Sequence, residues 1–234
     1  MSRRRGSVFI PLVSGAIVLA AAFAFASGGG GAGITGDEAL KKLMEGNKRY
    51  VAGAMCVQSQ CTTARRAELA KGQKPYAIIL CCSDSRVPPE IVFDQAMGEV
   101  FVVRVAGNVP DPVVLGSIEY AAEHIGSPLL MVLGHERCGA VSATVEAVRA
   151  KKKAEGNLGS IVAAIAPAAK RAIRDGKGKS AEAVIDAAVD GNTRLVRKSL
   201  TKRSRVIAKL EKEGKLRIVA ARYDLDDGTV RLED

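Results

Sequence analysis

Four short, almost uninterrupted apolar runs, at residues 76–82, 100–105, 129–133 and 216–221, constrain this chain more than anything else in it. Runs this short do not make core helices, and they lack the alternation of a sheet with one wet face. They read as strands buried on both sides, the mark of a parallel sheet. Helical spacing fills the intervals, at 112–124, 140–150, 158–173 and 181–212. Strands alternating with helices predict an α/β fold, with a mostly parallel central sheet of four to five strands flanked by helices. Asp226-Asp227-Gly228 reads as a hairpin turn into a last strand at 229–232. Ahead of the first strand, 37–52 has helical spacing, with Leu40, Leu43, Met44, Tyr50 and Val51 as its apolar positions. Asp37 and Glu38 fall in its first turn, where the helix dipole favours acids. A second short helix is expected over 62–71, closed by Gly72. At 234 residues the chain has room for one sizeable domain, assigned to 37–234.

Residues 1–26 have the parts of an export signal: the basic Arg3-Arg4-Arg5, a long apolar stretch, and Ala24-Phe25-Ala26 as a small-x-small cleavage site. A Gly-rich linker, 27–36, follows. The competing reading is an uncleaved anchor, since the apolar stretch approaches spanning length. Pro11 and Gly15 within it favour cleavage, which leaves no stable membrane association. The expectation is an exported protein, periplasmic or secreted if the source is bacterial, with the route left open.

The net charge of +10 invites a nucleic-acid reading. Three of the 35 basic residues belong to the leader, however. Elsewhere basic and acidic residues interleave along helices, as in Lys209-Leu210-Glu211-Lys212-Glu213, and no aromatic stacking platform accompanies them. Solvated helix faces account for this pattern, and no nucleic-acid partner is expected.

In parallel sheets ligands bind beyond the carboxyl ends of the strands, and the chemistry-bearing residues gather there. The first apolar run ends in Cys82-Ser83-Asp84-Ser85-Arg86, and the third in Gly134-His135-Glu136-Arg137-Cys138-Gly139. One Cys and a His-x-x-Cys pair offer two thiolates and an imidazole to a common point. Zinc accepts this donor set, and three protein ligands leave its fourth position for water. Iron–sulfur clusters ask for more Cys and copper electron-transfer sites for a Met-like axial ligand, neither of which stands beside these motifs. His124, late in a helix just before Gly126, reads as solvated or dipole-compensating. Cys81 should point to the sheet face opposite Cys82 as a buried apolar thiol. Cys56 and Cys61 are expected to pair as a disulfide in an oxidising compartment, with two surface thiols as the alternative.

Cys82-x-Asp84-x-Arg86 and His135-x-x-Cys138-Gly139, together with Phe93-Asp-Gln, Phe101-Val-Val-Arg-Val-Ala-Gly-Asn and Leu133-Gly-His, resemble the β-type carbonic anhydrases from about residue 37 to the end. The resemblance implies one Zn²⁺ per chain on Cys82, His135 and Cys138, and reversible hydration of carbon dioxide to bicarbonate and a proton by metal-bound hydroxide. Two thiolates cancel the metal's charge, so activity should rise on the alkaline side. A bidentate pair with Arg86 would hold Asp84 off the metal and ready to accept a hydrogen bond from its water. If Arg86 lets go, Asp84 could become the fourth ligand and close the site. The resemblance further implies substrate contacts from Gln73, Phe101, Val105 and the backbone N–H of Gly139. It also implies a homodimer or higher even oligomer, with the first helix as an arm over the partner. Regulation by bicarbonate through a Trp pocket is not expected, because the chain has no Trp. Two alternatives remain at this point. One is a hydrolase of carbon disulfide or carbonyl sulfide on the same scaffold, and the other a non-catalytic zinc-stabilised binding protein.

Overall fold

The computed structural model describes residues 32–233; the expected signal peptide and most of the linker lie outside the described residues. The elements run α1 (Gly36–Val51), α2 (Val57–Gln60), α3 (Thr63–Leu69), β1 (Ala77–Cys81), α4 (Pro89–Val92), β2 (Val100–Arg104), α5 (Pro112–Glu119), β3 (Leu129–His135), α6 (Gly139–Ala150), α7 (Leu158–Asp175), α8 (Ala181–Arg203), α9 (Arg205–Lys212), β4 (Arg217–Tyr223) and β5 (Val230–Glu233). The strands form one sheet in the order β2-β1-β3-β4-β5. The first four are parallel, and β5 returns antiparallel to β4 through the expected turn.

The central strands β1 and β3 are buried at every residue, as their unbroken apolar runs require. Alternate side chains go to opposite faces. Ala77, Ile79, Cys81, Leu129, Met131 and Leu133 pack with Leu40, Leu43 and Phe93 on one side. Ile78, Leu80, Leu130 and Val132 pack with Leu115, Ile118, Val196, Leu200 and Ile207 on the other. Cys81 and Cys82 therefore fall into different apolar clusters.

The first helix begins one residue before its expected start, because Thr35 and Glu38 form a capping box. It lies on the sheet of its own chain, with Ala39, Leu40 and Leu43 in the core. It comes so close to the residues after α4 that a Cβ on Gly46 would run into the carbonyl oxygen of Phe93. The helix expected over 112–124 is α only to Glu119 and continues as a π-turn, Tyr120–Ile125, ended by left-handed Gly126. The single helix expected over 181–212 is two. Ser204 leaves the helical region, accepts from the Ile207 N–H as the cap of α9, and donates its hydroxyl to Glu119 at 2.5 Å. Periodicity does not see such a break, since α8 and α9 bury residues on the same side.

No disulfide joins Cys56 and Cys61, and both thiols are exposed. The expected pairing is thereby corrected. The segment is organised by Asp94 instead, whose carboxylate accepts from the N–H groups of Cys56 at 2.9 Å and Val57 at 2.8 Å. The Cys56 thiol turns back to the Ala54 carbonyl. Asp94, fully buried, also accepts from Arg49 Nε at 2.6 Å, tying α1 to this loop.

Burial pushes the Asp94 carboxyl up, but the Arg49 and backbone hydrogen bonds outweigh it and leave it below its ordinary value. A depressed carboxyl stabilises the fold above its unfolded pKa, about 3.9, and loses that contribution as pH falls toward the folded value. Asp94→Asn should thus lower stability at neutral pH by about 1–3 kcal/mol and flatten the acid limb below about pH 4. Urea denaturation at several pH values reads both effects. An unchanged acid limb would remove Asp94 from this role.

Candidate metal centre

The strand order places β1 and β3 side by side although β2 intervenes in sequence. After β1 the chain crosses one way to β2, and β3 then lies on the other side of β1. The crevice between their carboxyl ends is the switch point where doubly wound sheets bind ligands. Cys81 pairs with Leu133, so Cys82 continues opposite Gly134 and His135 stands one residue further on. Cys138 follows the turn after β3, in extended conformation, as the N-cap of α6.

This register brings the donor atoms of Cys82, His135 and Cys138 within 4.8 Å of one another, all buried. The two sulfurs are 4.0 Å apart. Thiolates at about 2.3 Å from one tetrahedral ion would stand about 3.8 Å apart. His135 Nδ1 lies 2.8 Å from the carbonyl oxygen of Glu136, which can only accept. Nδ1 therefore carries the proton, and Nε2 presents a lone pair. That Nε2 is buried without a hydrogen-bond partner, an arrangement costly to keep unless something electron-poor sits there. The residues fit a zinc ion.

The hydrogen bond from Cys138 pulls the Cys82 thiol well below its ordinary value, with the Gly107 N–H adding to it against burial. The same contact and burial push Cys138 up. Physically, the pair parts easily with one proton and reluctantly with the second, unless a cation takes its place. Gly107 donates its N–H to Cys82 Sγ at 3.3 Å from a left-handed backbone, φ +70°, that L side chains rarely adopt. Its carbonyl is held by the buried Asn192 of α8 at 3.0 Å.

Asp84 stands at the rim, its Oδ2 3.9 Å from His135 Nε2. Arg86 grips it three times: Nε and the backbone N–H to Oδ1 at 2.9 and 3.0 Å, and Nη2 to Oδ2 at 2.7 Å. The Arg86 guanidinium holds this carboxyl well below the usual range. Arg86 also donates to the Arg137 carbonyl at 3.3 Å, and Arg104 donates to the carbonyls of Cys82 and Asp84 at 3.0 and 2.6 Å. The two arginines thus fix the loop between them.

The other expected residues are spread out. Val105 borders the cluster containing Cys82 and Cys138, its N–H bonded to the Cys81 carbonyl. Gly139 is exposed as the first residue of α6. Phe101 lies back along β2, opposite Ile78, 6.4 Å from the ring of Tyr120. Gln73 is exposed before the start of β1, at the other end of the sheet from Cys82. Its own chain does not bring it to the donors. Arg104 and Gly107 lie in the stretch 101–108 quoted above but were given no role there, and Asn192 was passed over. An Arg within an apolar run and an Asn within the buried row of α8, between Val189 and Val196, were the available signals.

A three-donor group able to hold a metal ion, at the switch point of a parallel sheet with a clamped carboxylate beside it, is the arrangement expected of an α/β enzyme that uses a metal. The family model described as carbonic anhydrase matches residues 77–230. Carbonic anhydrase 2 of Mycobacterium tuberculosis is 43% identical over 196 residues, covering 84% of this chain and 92% of that protein. Among solved structures, the β-carbonic anhydrase CafA of Aspergillus fumigatus superposes with a TM-score of 0.67 at 26% identity, over 85% of this chain and 90% of that one. A structure of two tetrameric β-carbonic anhydrases from Sordaria macrospora has the same fold at 23% identity, with a TM-score of 0.64 over 71% and 84%. The chain belongs to the β-carbonic anhydrase family and is an enzyme of that class.

Asn192→Ala would leave the Gly107 carbonyl buried and unpaired. It should cost about 1–3 kcal/mol, measured by denaturant unfolding of the metal-free chain. A cost below about 0.5 kcal/mol would mean that water takes the place of the amide.

Proposed function

We propose that this chain catalyses the zinc-dependent, reversible hydration of carbon dioxide to bicarbonate and a proton. The observation that carries the reading is the unpartnered Nε2 of His135 beside two thiols 4.0 Å apart, with Asp84 clamped at the rim. Zinc held by Cys82, His135 and Cys138, one ion per chain, supplies the acidification of a water molecule near neutral pH.

The chain's own residues do the rest. Asp84, ionised by its pairing with Arg86, can only accept. From the rim of the site it takes a hydrogen bond from the attacking water and turns a lone pair toward the substrate carbon. Because Arg86 engages both carboxylate oxygens and the Arg137 carbonyl, Asp84 stays beside the donor set. Val105 offers apolar surface suited to an uncharged linear substrate. The N-terminus of α6 at Gly139 favours the anionic product.

Gln73 and Phe101 stand away from the donors of their own chain, so a substrate role for them calls for a second copy. An assembly along the edge strand β2, as a homodimer or higher even oligomer, would bring them in. The side of β2 that no described strand pairs and the exposed Val113 and Tyr120 on the neighbouring α5 region support it. So does the tetrameric state named for the Sordaria relatives. Export is part of the same proposal. It rests on the basic and apolar leader, and among the described residues no helix is long and apolar enough to cross a membrane.

Stopped-flow carbon dioxide hydration by the zinc-loaded protein should be fast and rise from neutral to alkaline pH. Cys82→Ser should abolish it, and Asp84→Asn should lower kcat about 10²–10⁴-fold with zinc retained. No turnover with zinc fully bound would sink the assignment. Light scattering coupled to size exclusion should give an even multiple of the chain mass, and a monomer would remove Gln73 and Phe101 from the substrate pocket.

A further inference from the structure

The three metal donors are held in different ways. Cys82 accepts an N–H from Gly107, and Cys138 is the N-cap residue of α6, its backbone extended there. Backbone fixed by two secondary elements thus places both thiols. His135 has another kind of support. Its Nδ1 donates to the carbonyl of Glu136, the next residue along the chain. The imidazole is therefore aimed by whatever fixes the Glu136 peptide.

Glu136 is itself held from three directions. Its N–H donates to the Tyr223 carbonyl at 3.1 Å. Its Oε1 accepts from Arg222 Nη2 at 2.8 Å, and its Oε2 faces the Leu225 N–H at 3.4 Å. Arg222, next to Tyr223 on β4, is anchored in turn on α8: Nη1 meets Asp190 at 2.8 Å, and Nη2 meets Asp186 at 3.1 Å. One guanidinium, its side chain only 19% exposed, gathers three carboxylates from the ligand loop and α8.

Isolated surface ion pairs contribute little because water competes for both partners and the side chains stay mobile. This group differs in being partly buried, shared among several partners and geometrically forked. Without the guanidinium, Glu136, Asp186 and Asp190 would face one another as like charges. Glu136 would then have reason to swing outward and turn its carbonyl with it. The ties that remain, from the Glu136 N–H to the Tyr223 carbonyl and from the Leu225 N–H and the more distant Arg137 to Oε2, leave the Glu136 carbonyl free to tilt.

We propose that Arg222 is a positioning residue for the metal centre: through Glu136 it aims the His135 imidazole at Cys82 and Cys138, and so sets how tightly and in what geometry the ion is held. The proposal rests on the zinc reading given above and goes beyond it, because neither Arg222 nor its partners Glu136, Asp186 and Asp190 belong to the donor group. Ligating imidazoles are commonly oriented by an outer partner of this sort, and losing that partner costs about 10–100-fold in metal affinity.

The test uses the full chain and two readouts, zinc competition against a chelating dye and the visible absorption of the cobalt-substituted protein. Arg222→Met should weaken zinc about 10–100-fold and shift the cobalt bands, which report the ligand field itself. Arg222→Lys, which keeps the charge but loses the fork, should recover part of the affinity. Glu136→Gln keeps the carbonyl and loses the carboxylate charge, so it should shift the cobalt bands in the same direction as Arg222→Met, by less. A purely structural role would lower the melting temperature of the metal-free protein without moving the cobalt spectrum. Zinc affinity within twofold of the parent and unchanged cobalt bands in Arg222→Met would overturn the proposal. If that variant fails to fold, the same result in Glu136→Gln overturns it. A parent protein that takes up no zinc would overturn the metal assignment itself, a failure distinct from either of these.

Discussion

The parallel register of β1 against β3 makes one site out of two motifs more than fifty residues apart. Pairing Cys81 with Leu133 sets Cys82 beside the end of β3, where His135 and the turn to Cys138 begin. A slip of one residue would send Cys82 to the face occupied by Cys81, among core side chains. Burial on both faces prevents that slip. Every residue of β1 and β3 is covered, so each alternative register would expose or clash a full row of Ile, Leu, Met and Val side chains. The same hydrophobic constraint that builds the core therefore sets the spacing of the donors.

Around the donors, charge is handled by pairing. Two thiols share the crevice with an imidazole whose Nε2 has no hydrogen-bond partner, a combination that favours a proton or a cation between the sulfurs. The nearest carboxylate, Asp84, is held at the rim by a three-point grip from Arg86. Arg104 and Arg86 both donate to backbone carbonyls of the ligand loops. Much of the positive charge near the site is thus committed to shaping loops.

The helix α8 is the outer frame of this centre. Its buried row runs from Val184 to Leu200, and polar residues interrupt it where it passes the ligand loops. Asn192 holds Gly107 under Cys82, while Asp186 and Asp190 hold Arg222 and, through it, Glu136 beside His135. One rigid element thereby braces the surroundings of two donors that come from different strands. Conserving such geometry in a folded chain needs helices packed at van der Waals contact, since a polar network loosened by water would hold neither loop.

Much of the fold could be read from residues 76–82, 100–105, 129–133 and 216–221, because continuous apolar runs have few solutions other than parallel strands, although β2 at the sheet edge is only half-buried. The grouping of Cys82, His135 and Cys138 and the pairing of Asp84 with Arg86 were equally legible, since donor type and short spacing are local properties. The break at Ser204 and the separate thiols of Cys56 and Cys61 were not, as each depends on a distant acid, Glu119 or Asp94. The partnership of Asn192 with Gly107 and of Arg222 with Glu136 joins residues about 85 apart, and no local pattern encodes it. Sequence alone determined which atoms are able to bind a metal, because that is a property of side chains. Only the tertiary structure decided how those atoms are aimed, because aim is set by what packs behind them.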